Sequence, residues 1–351
     1  MAGPLSGLRI IELAAIGPVP FAGMMLADHG AEVIRVERPG ATKISGDPLL
    51  RSRSSITLDL KNPADIAQLR KLCATADGLI EGFRPGVMER LGLGPGVLLG
   101  DNERLVYGRM TGWGQDGPLA LRAGHDINYI ALTGTLGALG RAGDQPTPPI
   151  NLIGDFGGGG MLLAFGMVSA LLGVRSGGAG QVVDCAMTDG SALLMAMMWG
   201  FRAQGQWSDE RGTNLLDTGA PFYDTYETAD GGYVAVGAIE PQFYAELRSV
   251  LGIADDPRFD SQTDHAQWLA QKTELARLFK AKTRDQWTAL FEGIDACVTP
   301  VLSMAEALEH PHNRARQSFI TLGGAAQPAP APRYSSAPST TSVASRPLEA
   351  D

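Results

Sequence analysis

Apolar and polar positions along this chain fall into two alternating patterns. Leu8–Ala14 is a short, β-branched apolar run and reads as a buried strand, which Gly17-Pro18 breaks. Pro20–Asp28 carries its apolar residues at helical spacing and stops at Gly30, and Glu32–Glu37 returns as a strand. The alternation repeats with Ser55–Leu60 as strand, Pro63–Ala76 as helix behind the start signal Asn62-Pro63, and Gly78–Glu81 as strand. Arg104–Arg109 is a further strand leading into the glycine-rich loop Thr111–Pro118. Two glycine-punctuated helices follow, His125–Leu139 and Phe156–Leu172, then a last strand at Gln181–Asp184 and a methionine-rich helix at Met187–Phe201. Strands alternating with helices predict an α/β fold: an open, doubly wound, Rossmann-like parallel sheet with right-handed crossovers.

The second half changes pattern. Gln204–Pro221 is polar and reads as a connector. Thr225–Thr228, Gly231–Ala235 and Val236–Ile239 predict a small hairpin unit, followed by helices at Pro241–Leu251, Ala266–Lys282 and Arg284–Phe291. The expected organisation is a large α/β domain over 1–186, a linker over 187–219 and a smaller α+β domain over 220–300. Residues 301–351 would form a return linker and a C-terminal segment packing on the large domain. Beyond Gly323 the chain is rich in Ala, Pro and Ser, too poor in apolar area to fold alone.

Composition narrows the function classes. The 351 residues are 44% hydrophobic and 19% charged, so a sizeable core is available. A net charge of -9 argues against a nucleic-acid-binding role. Cys73, Cys185 and Cys297 are far apart and form no CxxC pair, which fits a reducing compartment and no zinc site. The most apolar stretches, Met161–Leu172 and Ala192–Phe201, are too short to span a bilayer, and no basic region precedes an apolar run at the N-terminus. The expected location is the cytoplasm. The turn after the first strand, Ala15–Pro20, lacks GxGxxG, and Pro18 and Pro20 remove amides that would cradle a pyrophosphate, so the sheet carries no nicotinamide fingerprint.

Two segments carry candidate chemistry. Gly124-His125-Asp126-Ile127-Asn128-Tyr129 and Asn151-Leu152-Ile153-Gly154-Asp155-Phe156 each place an ionisable group beside glycine, ahead of an apolar helical run. Imidazole is an acid or base near neutral pH, and a carboxyl becomes one when burial raises its pKa. Two unlike bases suit chemistry in which a proton leaves one face of a carbon and returns on the other. Basic residues also gather at expected strand ends: Arg38, Lys61, Arg84 and Arg109. Met187 and Met195 offer a pliable surface for varied apolar ligands, although a plain core helix would look the same.

These segments resemble the α-methylacyl-CoA racemase branch of the family III CoA-transferase superfamily. Arg109–Pro118, Asp217–Tyr226, Val236–Tyr244 and Asp295–Val301 resemble it in the same order, so the likeness runs from about Leu8 to Phe319. It implies His125 and Asp155 as the catalytic pair, and CoA contacts from Arg38 and Leu58-Asp59-Leu60-Lys61, with Arg84 beside them. Gly124, Ile127, Asn128, Tyr129 and Asn151 would bound the substrate. A glutamate matching Glu240 would lie near His125 and orient it. Because Glu240 falls in the smaller domain, the site would lie between domains, and between subunits of an interlocked homodimer. No cofactor is expected beyond the CoA carried by the acyl-CoA substrate, and no metal. The C-terminal segment is shorter and less regular than is usual in the family.

The chemistry asks for one thing more. The α-carbon of a thioester is a far weaker acid than imidazolium or a carboxylic acid, with reference pKa values of about 6.5 and 3.9. Proton removal therefore needs a donor for the enolate oxygen, and first-turn amides of a helix have no internal partner. The Asp126 amide is the expected donor. One rival is a CoA-transferase in which Asp155 is a nucleophile forming an acyl anhydride, and which needs no histidine at 125. Another is a catalytically silent acyl-CoA-binding relative, which would tolerate loss of His125 or Asp155. A serine hydrolase is disfavoured, since no GxSxG occurs.

Overall fold

The computed structural model describes residues 3–41, 47–337, 341–342 and 346–347. The chain divides into two compact units, one formed by 1–135, 149–196 and 312–351, the other by 136–148 and 197–311. Residues 187–196, read from the sequence as linker, therefore stay with the first unit, and 136–148 join the second.

The first unit is built on the strands expected. β1 (Arg9–Leu13), α1 (Pro18–Asp28), β2 (Glu32–Glu37), β3 (Ser54–Thr57), α2 (Pro63–Ala74) and β4 (Gly78–Glu81) come first. Two short helices, α3 (Val87–Arg90) and α4 (Pro95–Asp101), lead to β5 (Val106–Thr111). α5 (Asp126–Leu132) and α6 (Thr135–Ala138) follow, then a π-helix at Leu152–Met161 that continues as α7 (Leu162–Arg175). β6 (Gln181–Ala186) and α8 (Met187–Leu194) complete the first unit's run, whereas α6 and α9 (Ala196–Ala203) fall almost wholly within the residues of the second unit. The six strands lie in the order β3-β2-β1-β4-β5-β6, all parallel, and Arg346–Pro347 adds a two-residue strand beside β3. The order reverses between β1 and β4, and open sheets of this kind bind ligands beyond the carboxyl ends of the strands at that point.

Period-two alternation puts one set of side chains on each face. Ile10, Val33, Ile80 and Val106 pack with Val19 and Leu26 of α1 and with Leu163 and Met167 of α7. Ile11, Ile34, Val36 and Leu79 pack with Leu69 and Cys73 of α2 and with Met88 and Leu98. At Gly108 an added Cβ would lie 2.7 Å from Met167 Sδ and 2.9 Å from Leu163 Cδ1, so α7 approaches β5 as closely as only glycine allows. Burial pushes the thiols of Cys73 and Cys185 up to about 12, which makes both unreactive at neutral pH.

Three expectations about helices need correction. The segment 125–139 is two helices, because Gly134 adopts φ +81° between α5 and α6. The methionine-rich helix breaks at Met195, which caps α8. Leu152–Arg175 forms one helical run of 24 residues, longer than the apolar stretch read from the sequence and long enough by length and composition to cross a membrane. Half of its most apolar window is buried inside the first unit, as a core helix would be.

The second unit carries an antiparallel sheet of β7 (Tyr223–Glu227), β8 (Tyr233–Gly237) and β9 (Val298–Pro300). It is covered by α10 (Pro241–Leu251), α11 (His265–Phe279) and α12 (Arg284–Phe291), over a core that includes Phe222, Tyr226, Trp268, Phe279 and Trp287. Arg141, from 136–148, grips Asp224 bidentately at 3.0 and 2.8 Å.

α13 (Met304–Glu309) and α14 (Pro311–Ala315) lead to a hairpin of β10 (Phe319–Leu322) and β11 (Ala325–Pro328). The buried Arg51 holds Asp28 at 2.6 Å, the Gln327 side chain at 2.9 Å and the Pro328 carbonyl at 2.6 Å. His29 Nε2 lies 3.1 Å from the Ala331 carbonyl. The Ala/Pro-rich segment is thus a strap held on the first unit by side chains near the sheet.

Arg109 departs most clearly from the row of basic residues expected at the strand ends. It is buried, with Nε 3.1 Å from Glu81 and Nη1 2.8 Å from Glu89. Glu81 also accepts the Phe83 amide at 2.7 Å, yet burial pushes its carboxyl from the usual 4.5 up to about 7. The folded chain therefore keeps a proton that the unfolded chain releases. Stability is expected to fall as pH rises from about 4.5 to about 7, by on the order of 3 kcal/mol from this group. Glu81→Gln should flatten that part of the pH–stability curve, measured by urea unfolding across the window. An unchanged slope would contradict the assignment.

Candidate active site

The site is assembled at the carboxyl ends of the central strands. The left-handed Asn151 (φ 64°), a conformation asparagine tolerates well, opens the π-helix that carries Asp155. Asp155 is therefore inside a helical run and not at its cap. Asn151 Nδ2 donates to Asp155 Oδ2 at 2.8 Å, and the Phe156 amide bonds the Asn151 carbonyl at 3.3 Å, five residues back. Winding of this kind is frequent at functional sites.

His125 caps α5. Its amide donates to Asn128 Oδ1 at 3.0 Å, and the Asn128 amide donates to the His125 carbonyl at 2.8 Å. The imidazole is exposed. Asp126 follows as the first helical residue, so its amide has no acceptor within the helix. Its carboxylate is buried and accepts the Asp155 amide at 2.7 Å, tying the start of α5 to the π-helix. Asp126 thus contributes its side chain to the frame, not to the cavity wall.

A cavity of about 590 Å³ is lined by His125, Asp155 and Asn151 together with Gly124, Tyr129 and Arg84. Met187, Trp113 and Arg122 also line it, as do the β1–α1 turn Ala14–Gly17 and the start of α1. Tyr129 is fixed by its hydroxyl, which donates to the Gly124 carbonyl, and by an edge contact with Trp113 at 4.8 Å between ring centroids. Asp155 is half-buried, and desolvation pushes its carboxyl up. The Asn151 bond lowers it, Asp126 raises it and His125 lowers it, which places His125 within electrostatic reach. At Gly17 (φ +68°) an added Cβ would lie 3.1 Å from Asp155 Oδ2, so the turn after β1 presses directly on the carboxylate.

A second cavity of about 640 Å³ is lined by Arg38, Leu58, Asp59, Leu60 and Lys61, and shares Ala14, Ala15, Ile16 and Phe83 with the first. The Arg38 and Leu58–Lys61 residues therefore come together as expected. Arg84 does not line this second cavity and lies in the wall of the first. Ile127 and Asn128 are exposed on the first turn of α5 and line neither, and Met195 lines neither. Glu240 caps α10 in the second unit, with an exposed side chain. Trp113, Arg122 and Gly17 line the first cavity without having been singled out from the sequence as site residues. The positive φ at Gly17 is the trace that Gly17-Pro18 left in the chain, where it reads only as a strand end.

The chain is similar to curated proteins over most of its length. It is 50% identical to an alpha-methylacyl-CoA racemase of Mus musculus, over 97% of this chain and 88% of that protein. It is 47% identical to the alpha-methylacyl-CoA racemase of Homo sapiens, over 90% and 82%. A succinyl-CoA:glutarate CoA-transferase of Mus musculus is 30% identical over 95% and 81%. Among solved structures, a CaiB/BaiF family protein from Brucella suis superposes with a TM-score of 0.83 at 26% identity, over 99% of this chain and 97% of that one. The family model of CoA-transferase family III matches residues 5–349, and this chain belongs to that family.

Proposed function

We propose that this protein is a racemase that interconverts (R)- and (S)-2-methylacyl-CoA thioesters by moving the α-proton through an enolate. The observation that carries the proposal is one cavity lined by both His125 and Asp155, with the Asp155 carboxyl raised by burial. Burial favours the protonated form of this carboxyl, the form that gives a proton to a carbanionic carbon. In one direction neutral His125 takes the α-proton and protonated Asp155 delivers its own to the opposite face. In the other direction the roles exchange. The Asp126 amide, free of any helical acceptor, is assigned to the enolate oxygen.

The second cavity is assigned to the nucleotide end of CoA, held by Arg38 and Lys61, with Arg84 near the shared wall. No cofactor is invoked beyond this CoA. Glu240 enters on its motif, Gly237–Pro241, as the residue that orients His125. A homodimer belongs to the same proposal, supported by the exposed side chains Phe165, Leu172, Leu193 and Leu194 on α7 and α8. So does a cytoplasmic location, supported by the free, buried thiols of Cys73 and Cys185.

The likeness to a succinyl-CoA:glutarate CoA-transferase keeps a second reading in view, in which Asp155 is a nucleophile. The test incubates one pure enantiomer of a 2-methylacyl-CoA with the protein, with and without added succinate, and follows chirality and CoA distribution. Near-equal enantiomers in both conditions are expected. Retained chirality with CoA moved to succinate would replace the racemase by the transferase. Arg38→Ala should raise KM for CoA esters by about tenfold with little change in kcat, as loss of a phosphate contact does. A large fall in kcat at constant KM would contradict that role.

A further inference from the structure

The catalytic cavity carries a cation that proton transfer does not use. Arg122 lines it, is exposed, and has no acidic partner among the described residues. Asp155 is the single acid among the cavity's lining residues, against Arg84, Arg122 and His125. A 2-methylalkanoyl thioester has no charge near its reacting carbon. The anions of CoA lie at its nucleotide end, for which the neighbouring cavity supplies Arg38 and Lys61. Arg84 follows Phe83, which lines both cavities, so it sits beside the shared wall. Arg122 lies on the loop that runs into His125, lines only the cavity of the two bases, and is placed for an anion on the acyl side.

We infer that Arg122 is a specificity-determining residue that selects acyl groups carrying a second, free carboxylate: mono-CoA thioesters of 2-methyl-branched dicarboxylic acids. The inference rests on the racemase reading and names its substrate class. A guanidinium takes a carboxylate through two parallel hydrogen bonds. Because Arg122 is exposed, the selection is modest, on the order of tenfold.

The test compares kcat/KM for inversion between mono-CoA thioesters of 2-methyl dicarboxylic acids and 2-methylalkanoyl-CoA esters of equal backbone length, over a series of lengths. At one or more lengths the free carboxylate should be favoured by about tenfold. Arg122→Met should bring that ratio close to parity, and Arg122→Lys should retain part of it. No preference at any length would overturn the inference. So would an equal loss on both classes in Arg122→Met, which would assign the guanidinium to CoA itself. Calorimetric binding of the same pairs is read alongside. A carboxylate preference in binding that Arg122→Met removes, with no inversion of either class, would contradict the racemase reading and support the selection by Arg122.

Discussion

Replacing His125 by alanine is expected to abolish inversion of a 2-methylacyl-CoA while leaving α-proton exchange of one enantiomer measurable. Inversion needs a proton taken from one face and another given to the opposite face. Without the imidazole, Asp155 can still take a proton from its own face and return one there. Solvent deuterium then enters that enantiomer with its chirality kept. Asp155→Asn should give the mirror result, exchanging the other enantiomer through His125. The loss of inversion should be about 10²–10⁴-fold, the usual contribution of a positioned acid or base. Neither change threatens the fold: the His125 side chain is exposed, and the amide introduced by Asp155→Asn could still meet Asn151. The measurement is proton NMR of each pure enantiomer in D₂O with each variant. Inversion of either enantiomer at a rate near that of the native chain would contradict the assignment of two bases.

Gly154→Ala should damage catalysis strongly although Gly154 lines neither cavity. Its new methyl would meet Asp126 Oδ1, with Asp126 Cγ at 2.9 Å and Ile130 Cγ2 at 3.2 Å. Asp126 is buried and its carboxylate holds the Asp155 amide, so the methyl must push apart the start of α5 and the π-helix. Those two elements carry His125 and Asp155. A displacement of about 1 Å at such a site costs on the order of 10²-fold in kcat, and overpacking costs about 1–3 kcal/mol of stability. Gly173→Ala is the control, since its methyl would meet nothing within 4 Å on α7. It should leave kcat unchanged and be neutral or slightly stabilising. Equal kcat values for the two variants would show that the Asp126 tie does not set the geometry of the pair.

Much of the sheet was legible because its central strands β1 and β4 are buried on both faces and read as short, mostly apolar runs. Ile10 and Ile11 are both fully buried, in different cores, and no amphipathic alternation hides them. His125 and Asp155, which line one cavity, stood out in the sequence because each sits beside glycine ahead of a helix. What escaped was tertiary. Arg109 looks in sequence like Arg38, a basic residue at a strand end. Its partners Glu81 and Glu89 come from other segments and turn it into an internal strut. The π-winding around Asp155 leaves no periodic trace, since Gly157–Gly160 have no side chains to mark a face. The break at Gly134 is a local event, a positive φ in one residue, set within a continuous apolar pattern. Arg122 escaped because a cavity wall drawn from several separate segments has no sequence motif. Ile127 and Asn128 stood inside the motif yet lie outside the cavity, since successive helical residues point in different directions.

The central claim is that an α-proton leaves carbon inside this cavity. The most direct measurement follows the α-hydrogen of (S)-2-methylacyl-CoA by NMR in D₂O with the native chain, with a chiral assay of the same samples. Deuterium should appear at the α-carbon as the (R) enantiomer forms, until both enantiomers are present in near-equal amounts and deuterated. An α-proton that stays in place while CoA passes to an added carboxylate would contradict the claim and make Asp155 a nucleophile.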